Sequence, residues 1–453
     1  MRAKPHVDPH ATYLLAVELD DDLGEGVLPG AVGPGLLLDL ADVDAPGRIR
    51  IERRHFASYN DGDMPPLQSV PRLYRLPESS FFLFGLRGVG KSTWIRSQLP
   101  DARRFDLLDE TLYQQLLADP APFAAELRTL APGSWVVLDE TQRLPGLLNE
   151  VHRFIEERRL RFALLGSSAR KLRAAGVNLL AGRALWREMF PLTPEELGSQ
   201  LDLERTLAIG ALPLVLASPE PQETLRTYVQ LYLREEIKGE ALVRNLPGFA
   251  RFLPVAALCH GQTINISGLA RDAGVARTTV EGYIQILEDT LLARRLPAYT
   301  ARLRVRERKH PKLYWVDPGV ARAAKAAHGV GGALYPEERG ALLEGYIHTL
   351  LLTYMAERDL AAEISYWSPA GSRQTEVDFL LSRNSEHCAL EIKAQARVQP
   401  QHLTGLRAIA PLPGLRRRVL VHQGERPGRT EDGIELWPIA TLLEALQTNS
   451  LWP

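Results

Sequence analysis

Two groups of residues in this chain have types and spacings suited to chemistry on phosphates. In "FFLFGLRGVGKST", Gly85, Gly90, Lys91 and Ser92 fill the spacing G-x-x-x-x-G-K-[ST], with Gly88 and Thr93 in the same loop. Backbone N–H groups of such a loop curl around phosphate oxygens, the lysine reaches the β- and γ-phosphates of a nucleotide, and the hydroxyl binds Mg2+. In "EVDFLLSRNSEHCALEIKA", Asp378, Glu391 and Lys393 lie within two apolar runs. A charge taken into a core costs several kcal/mol unless it is paired, bound to a metal or neutralised, so these three residues need partners.

The first group needs a second carboxylate-bearing strand. "SWVVLDE" supplies it: Asp139 is placed to hold Mg2+ through its water shell, and Glu140 to polarise an attacking water, which points to hydrolysis as well as binding. The strand "RFALLGSS" would bring Ser167 or Ser168 beside the γ-phosphate if it neighbours both motif strands. Arg183, in "LLAGRA", reads either as a finger stabilising phosphoryl charge, in cis or across a subunit interface, or as a surface arginine. Strands alternating with helical stretches from about Pro71 onward predict a parallel sheet wrapped by helices.

The second group needs strands that turn one face to the acids. Alternation puts Asp378 with Glu376 and Leu380, and Glu391 with Lys393, while Val377, Phe379, Leu390 and Ile392 face away. The order helix ("EERGALLEGYIHTLLLTYMAER"), three strands, helix, strand, together with Asp378 and Glu391-x-Lys393, matches a restriction-endonuclease-like core. Asp378 and Glu391 would bind Mg2+, Glu344 on the preceding helix would join them, and Lys393 would orient the attacking water. His348, one turn on, reads as an interface histidine rather than a ligand.

Between the two lies "INISGLARDAGVARTTVEGYIQILEDTLLARRL", with the rhythm of a helix-turn-helix. Its second helix begins near Arg277 and carries Thr278 and Thr279 early. "RLRVRERKHPK" follows and reads as the wing of a winged helix. Arg302, Arg304, Arg306 and Arg308 share one strand face, with Lys309 and Lys312 close by. Such a stripe suits DNA phosphates; its other reading is packing against the rest of the protein.

With 453 residues the chain is long enough for about three domains. A net charge of −1 excludes a uniformly basic nucleic-acid coat. Cys259 and Cys388, far apart and without ligand spacing, read as buried thiols of a reducing compartment. No apolar run approaches the roughly 18 residues of a membrane span, so a soluble, cytoplasmic protein without membrane contact is expected. The first seventy residues, Gly- and Pro-rich with three short apolar runs, show no chemistry.

The motifs together resemble the prokaryotic AAA-type ATPases whose P-loop domain precedes a C-terminal restriction-endonuclease-like domain of unassigned function. The resemblance runs from Pro71 to the C-terminus on "GLRGVGKST", "VVLDE", "LLGSSARKL", "LLAGRA", "FPLTPEEL", "PKLYWVDPGVARA", "EVDFLL" and "LEIKA". It implies ATP binding and hydrolysis. The expected α/β architecture is an N-terminal extension (1–70), a P-loop ATPase sheet (71–200), a helical lid (201–245), a winged helix (246–330) and an endonuclease-like domain (331–453). Two function classes follow. One is an ATP- and Mg2+-dependent DNA-processing enzyme with a metal-dependent nuclease. The other is a nucleotide-gated switch or scaffold whose nuclease-like domain no longer cuts. A protein partner or a homo-oligomer is compatible with both.

Replacing Arg302, Arg304, Arg306 and Arg308 by Ser is expected to weaken DNA binding and to flatten its salt dependence by about one unit of slope per lost phosphate contact. An unchanged slope in the folded variant assigns the stripe to packing.

Overall fold

The computed structural model describes residues 70–168, 180, 182–232, 246–300, 310–325, 334–369 and 375–453. The N-terminal extension and the arginine stripe at 301–309 lie outside the described residues, as does the later part of the lid, 233–245. The described residues form one compact unit.

The first sheet holds β1 (Phe81–Gly85), β2 (Arg103–Asp106), β3 (Trp135–Asp139), β4 (Arg161–Gly166) and β5 (Leu185–Met189), in the order β2-β3-β4-β1-β5 and parallel throughout. Helices cover both faces, which is why β1 is apolar at every position before its glycine. Phe81 and Leu83 enter one core, Phe82 and Phe84 the other. The sheet is thus the parallel α/β sheet expected from the alternation of strands and helices, and β4 does lie between the two motif strands.

Short helices Leu203–Ile209, Pro213–Leu216 and Pro221–Thr227, followed by the helical turn Tyr228–Tyr232, lie in the described part of the segment expected to be the lid. They share a continuous core with the middle segment, where helices Leu246–Leu258, Ile266–Ala273, Arg277–Asp289 and Pro318–Lys325 surround β6 (Gln262–Thr263), β7 (Ala293–Leu296) and β8 (Lys312–Trp315). The helix-turn-helix pair falls where the sequence puts it. Asn265 caps the first helix by accepting from the Gly268 N–H at 3.1 Å, and Gly274 ends it with φ 63°. The strands β7 and β8 are antiparallel.

The C-terminal part opens with helix Pro336–Arg358 and continues through β9 (Glu363–Trp367), β10 (Val377–Arg383), β11 (Glu386–Ile392), helix Thr404–Ala408, β12 (Leu415–His422), β13 (Gly428–Arg429) and β14 (Glu435–Pro438). Its sheet order is β13-β14-β12-β11-β10-β9, antiparallel across β9, β10 and β11 and parallel from β11 through β12 to β14. From helix Pro336–Arg358 to β12 the elements come in the order read from the sequence; β13, β14 and helix Ile439–Gln447 follow them. Cys388 is buried, but Cys259 is only half-buried, and both are free thiols. Among the described residues no helix is long and apolar enough to cross a membrane.

Lid and middle segment lock together at Asp317. Its carboxylate, 1% exposed, accepts from the Ala211 N–H at 2.7 Å and from the Val320 N–H at 3.0 Å. Gly210, at φ +83°, lies so close that a Cβ there would stand 2.0 Å from an Asp317 oxygen. Burial pushes the Asp317 carboxyl up to about 6 despite these bonds. A carboxyl raised on folding stabilises the protein below its unfolded value near 3.8 and loses that contribution as pH rises through about 6. Asp317→Asn keeps an oxygen acceptor without titrating. The stability of the parent relative to this variant is therefore expected to fall between pH 4 and pH 7, by on the order of 3 kcal/mol, in denaturant melts. A pH-independent difference would rule out a buried titrating carboxyl.

Candidate nucleotide site and C-terminal acid centre

The parallel sheet brings the first group together at the C-terminal ends of its strands, where such sheets bind ligands. The loop after β1 turns through Gly88 (φ 74°) and Gly90 (φ 96°) into helix Lys91–Gln98. Both glycines adopt conformations that side-chain-bearing residues rarely take, and a Cβ on Gly88 would meet Leu214 of the lid at 2.7 Å. The Lys91 ammonium lies back on its own loop, donating to the Gly85 carbonyl at 2.7 Å and the Leu86 carbonyl at 3.1 Å. The Ser92 hydroxyl donates to Asp139 Oδ2 at 2.6 Å, so the two candidate Mg2+ ligands already touch.

Glu140 follows Asp139 with a left-handed backbone (φ 56°), and its carboxylate accepts from the Gln142 side-chain amide. The same amide donates to the Ser167 hydroxyl at 3.0 Å. Ser167, at the end of β4, is therefore tied to Glu140 through Gln142, a residue the sequence did not single out. A cavity of about 690 Å3 is lined by Gly88, Lys91, Ser92 and Glu140 together with Pro213 and Leu214 of the lid. It has the volume of a small-molecule site.

Arg72 was also missed. Its guanidinium donates to the Val89 carbonyl of the phosphate loop at 2.7 Å, to the Phe190 carbonyl at 2.6 Å and to Glu196 at 2.8 Å. Glu196, from "FPLTPEEL", caps its own helix with Thr193 and accepts from the Leu73 N–H at 2.7 Å. The motif thus holds the loop in place through one buried ion pair.

Arg183 requires a correction. Strand register sets Leu185 beside Phe81 and Met189 beside Gly85, so Arg183 lies at the end of the sheet opposite the phosphate loop, roughly 13 Å or more away along the strand. It is exposed and pairs with Glu156. Contact with the phosphates in cis is incompatible with this register.

Strand alternation also brings the second group together from Asp378 onward, with one correction and one addition: a register shift between Val377 and Leu380 puts Val377 in the core of Leu380 and Ala389 instead of with Phe379. Asp378 Oδ2 accepts from the Ile392 N–H at 2.8 Å, and Lys393 donates to Glu391 Oε1 at 2.6 Å. The addition is Lys312. Counted from sequence among the basic residues of the wing, it is 3% exposed and reaches Glu344 at 3.0 Å, Glu376 at 3.1 Å and Asp378 at 3.5 Å. Tyr314, two residues on and on the same strand face, donates its hydroxyl to Glu344. Burial and the neighbouring Asp378 push Glu344 up to about 7 and Glu391 up to about 8. Burial opposes the charge on Lys312, but Asp378, Glu344 and Glu376 together hold its ammonium above the usual lysine range. His348 stacks on Tyr314 with ring centroids 4.5 Å apart, and burial lowers it to about 3, which fits an interface residue. Among the described residues no three acidic, histidine or cysteine side chains converge as ligands of one ion.

Arg277 and Thr278 stand exposed in the first turn of helix Arg277–Asp289, and Thr279 is half-buried.

Residues 78–198 match a family model described as AAA domain. Residues 200–330 match a domain of unknown function (DUF8612), and residues 339–442 a second one (DUF4143). One model thus spans the lid and the middle segment, which share a core. The chain is 27% identical over 391 residues to the uncharacterized protein Rv2008c of Mycobacterium tuberculosis, with 84% of each chain covered. The uncharacterized protein Mb2031c of Mycobacterium bovis gives the same figures. Among solved structures, the replication initiator DnaA bound to AMPPCP and single-stranded DNA is 14% identical with a TM-score of 0.26, covering 47% of this chain and 82% of that one. A STAND-type signal-transduction ATPase from Pyrococcus horikoshii is 11% identical with a TM-score of 0.22, covering 64% and 48%. The domain match and the loop geometry support an AAA-type nucleotide-binding ATPase domain over 78–198.

Arg72→Met leaves Glu196 buried without its cation, so a loss of about 3–5 kcal/mol in stability is expected from denaturant melts. Arg72→Lys cannot reach all three acceptors and is expected to recover only part. Unchanged stability in Arg72→Met would show that the ion pair does not hold the loop.

Proposed function

We propose that this chain hydrolyses ATP and couples hydrolysis to an action on DNA, with a cation-dependent phosphodiesterase centre in its C-terminal domain. The observation that carries the first part is the Ser92–Asp139 hydrogen bond of 2.6 Å at the mouth of a cavity shared by Lys91 and Glu140. When ATP enters, Lys91 exchanges the Gly85 and Leu86 carbonyls for phosphate oxygens. Ser92 and Asp139 would hold Mg2+, which neutralises charge across the β- and γ-phosphates. Glu140 accepts a hydrogen bond from the attacking water, and Gln142 fixes the direction of its carboxylate from the Ser167 side.

For DNA, support comes from exposed Arg277 and Thr278 at the start of the second helix of the helix-turn-helix pair, where base-contacting residues of such pairs stand. For the phosphodiesterase centre, it comes from Glu391, whose Oε2 is buried without a hydrogen-bond partner beside Asp378 and Glu344. Glu344, Asp378 and Glu391 would hold the cation, which supplies an activated water; Lys393 steadies that water or the developing charge. An arginine finger at Arg183 would require a neighbouring subunit. A second reading, a nucleotide-gated switch that does not cut, is favoured by Lys312, which already compensates three of the acids.

Lys91→Ala is expected to lose ATP binding. Glu140→Gln is expected to bind ATP and turn it over about 100-fold more slowly, in a binding and phosphate-release assay. Wild-type turnover by Glu140→Gln removes that residue from the mechanism. Mg2+- or Mn2+-dependent cleavage of duplex, nicked or single-stranded DNA that is abolished by Asp378→Asn separates the cutting reading from the switch.

A further inference from the structure

Four carboxylates, Glu344, Glu376, Asp378 and Glu391, meet two ammonium groups, Lys312 and Lys393, at the C-terminal centre. Fully ionised, the set keeps an excess of two negative charges, the complement of one divalent cation. Glu391 also keeps an unpartnered oxygen on a side chain 8% exposed. The charge and the open acceptor both suit a cation, yet the acids do not converge on one.

The reason is steric and electrostatic. Carboxylates that share a Mg2+ or Mn2+ ion bring oxygens to about 2 Å from a common point. Here the point between Glu344, on helix Pro336–Arg358, and Asp378, on β10, is taken by Lys312 Nζ, at 3.0 Å from one and 3.5 Å from the other. Lys312 belongs to neither element. It comes from β8 of the middle segment, and five residues on the same chain reaches Asp317, the residue that holds the lid. Tyr314 shares its face and bonds the same Glu344, so a shift of β8 would release both contacts to that acid together.

We propose that Lys312 is a built-in antagonist of divalent-cation binding: its ammonium occupies the position between Glu344 and Asp378 that a cation would take, and the centre accepts the cation only when β8 draws the lysine away. This rests on the reading of the centre as a cation site. Lys393 keeps its place on Glu391 in either state, because both stand on the same strand end.

The test is Mn2+ binding to the full-length protein without nucleotide, by calorimetry with the bound ion counted by electron paramagnetic resonance. Lys312→Met alone strands three acids and can fail to fold. Lys312→Met with Glu376→Gln removes one charge of each sign, keeps the net charge, and retains Glu344, Asp378 and Glu391; a cooperative melt certifies its fold. The double variant is expected to bind Mn2+ about tenfold more tightly than the parent, as when a lysine fills the site about nine-tenths of the time. Adding Asp378→Asn is expected to abolish that gain. Equal Mn2+ affinity in parent and double variant, sensitive to Asp378→Asn in both, overturns the antagonist and leaves a cation site. No Asp378-dependent Mn2+ binding in either overturns the antagonist and the cation reading together.

Discussion

Strand β8 is buried at every position, and a strand with no exposed side must satisfy each of its polar groups inside the protein. Lys312 answers to the acids of the C-terminal domain, Tyr314 to Glu344, and the Trp315 N–H to His260 Nδ1 at 3.0 Å. Asp317, just beyond the strand, answers to the lid. None of these partners lies in the hairpin that β8 belongs to. The strand can be buried only with the lid and the C-terminal domain docked, so six consecutive residues, 312–317, join the parts of the unit.

The nucleotide site is built on a different principle. Its phosphate loop is held by backbone carbonyls and glycine conformations, and its polar side chains form short local relays: Ser92 to Asp139, and Glu140 to Gln142 to Ser167. The exception is Arg72, which binds the loop to the strand end at Phe190 and to the capped helix at Glu196. A ligand in the cavity would therefore act on elements on both sides of that guanidinium. Two lid residues touch the loop itself: Leu214, whose N–H donates to the Gly88 carbonyl at 3.2 Å, and Tyr228, whose hydroxyl donates to the Arg87 carbonyl at 3.2 Å.

This difference decides what could be read from the sequence. The phosphate loop, the Asp139–Glu140 strand end and the helix-turn-helix pair are local patterns, in which spacing alone dictates geometry. The position of Ser167 needed only the strand order. Asp378, Glu391 and Lys393 were legible because alternation on two adjoining strands places them. Lys312 was not, because a lysine at the end of an arginine-rich stretch looks like its neighbours; the signal that sets it apart is the apolar run "LYWV" immediately after it, which marks a strand with no solvent face. Arg72 gives no such signal, since two of its three partners, Phe190 and Glu196, come from more than a hundred residues away. Arg183 could be read as a finger or as a surface arginine because one arginine before a strand carries little information alone; only the register of β5 puts it at the end of the sheet away from the phosphate loop.

The Asp317–Ala211 bond closes a loop of 106 residues, and this orders events while the chain is being made. At synthesis rates of roughly 5–20 residues per second, the lid leaves the ribosome on the order of 5–20 s before the aspartate that secures it. Over that interval the nucleotide sheet is complete and its cover is not. In a nascent chain at this stage β1, β3 and β4 have been made, and Leu207, Leu212 and Val215 still await the core they share with Val320. The protection of the Ala211 amide against hydrogen exchange should accordingly arrive late, after that of β1, and mark the moment at which the lid becomes part of the molecule.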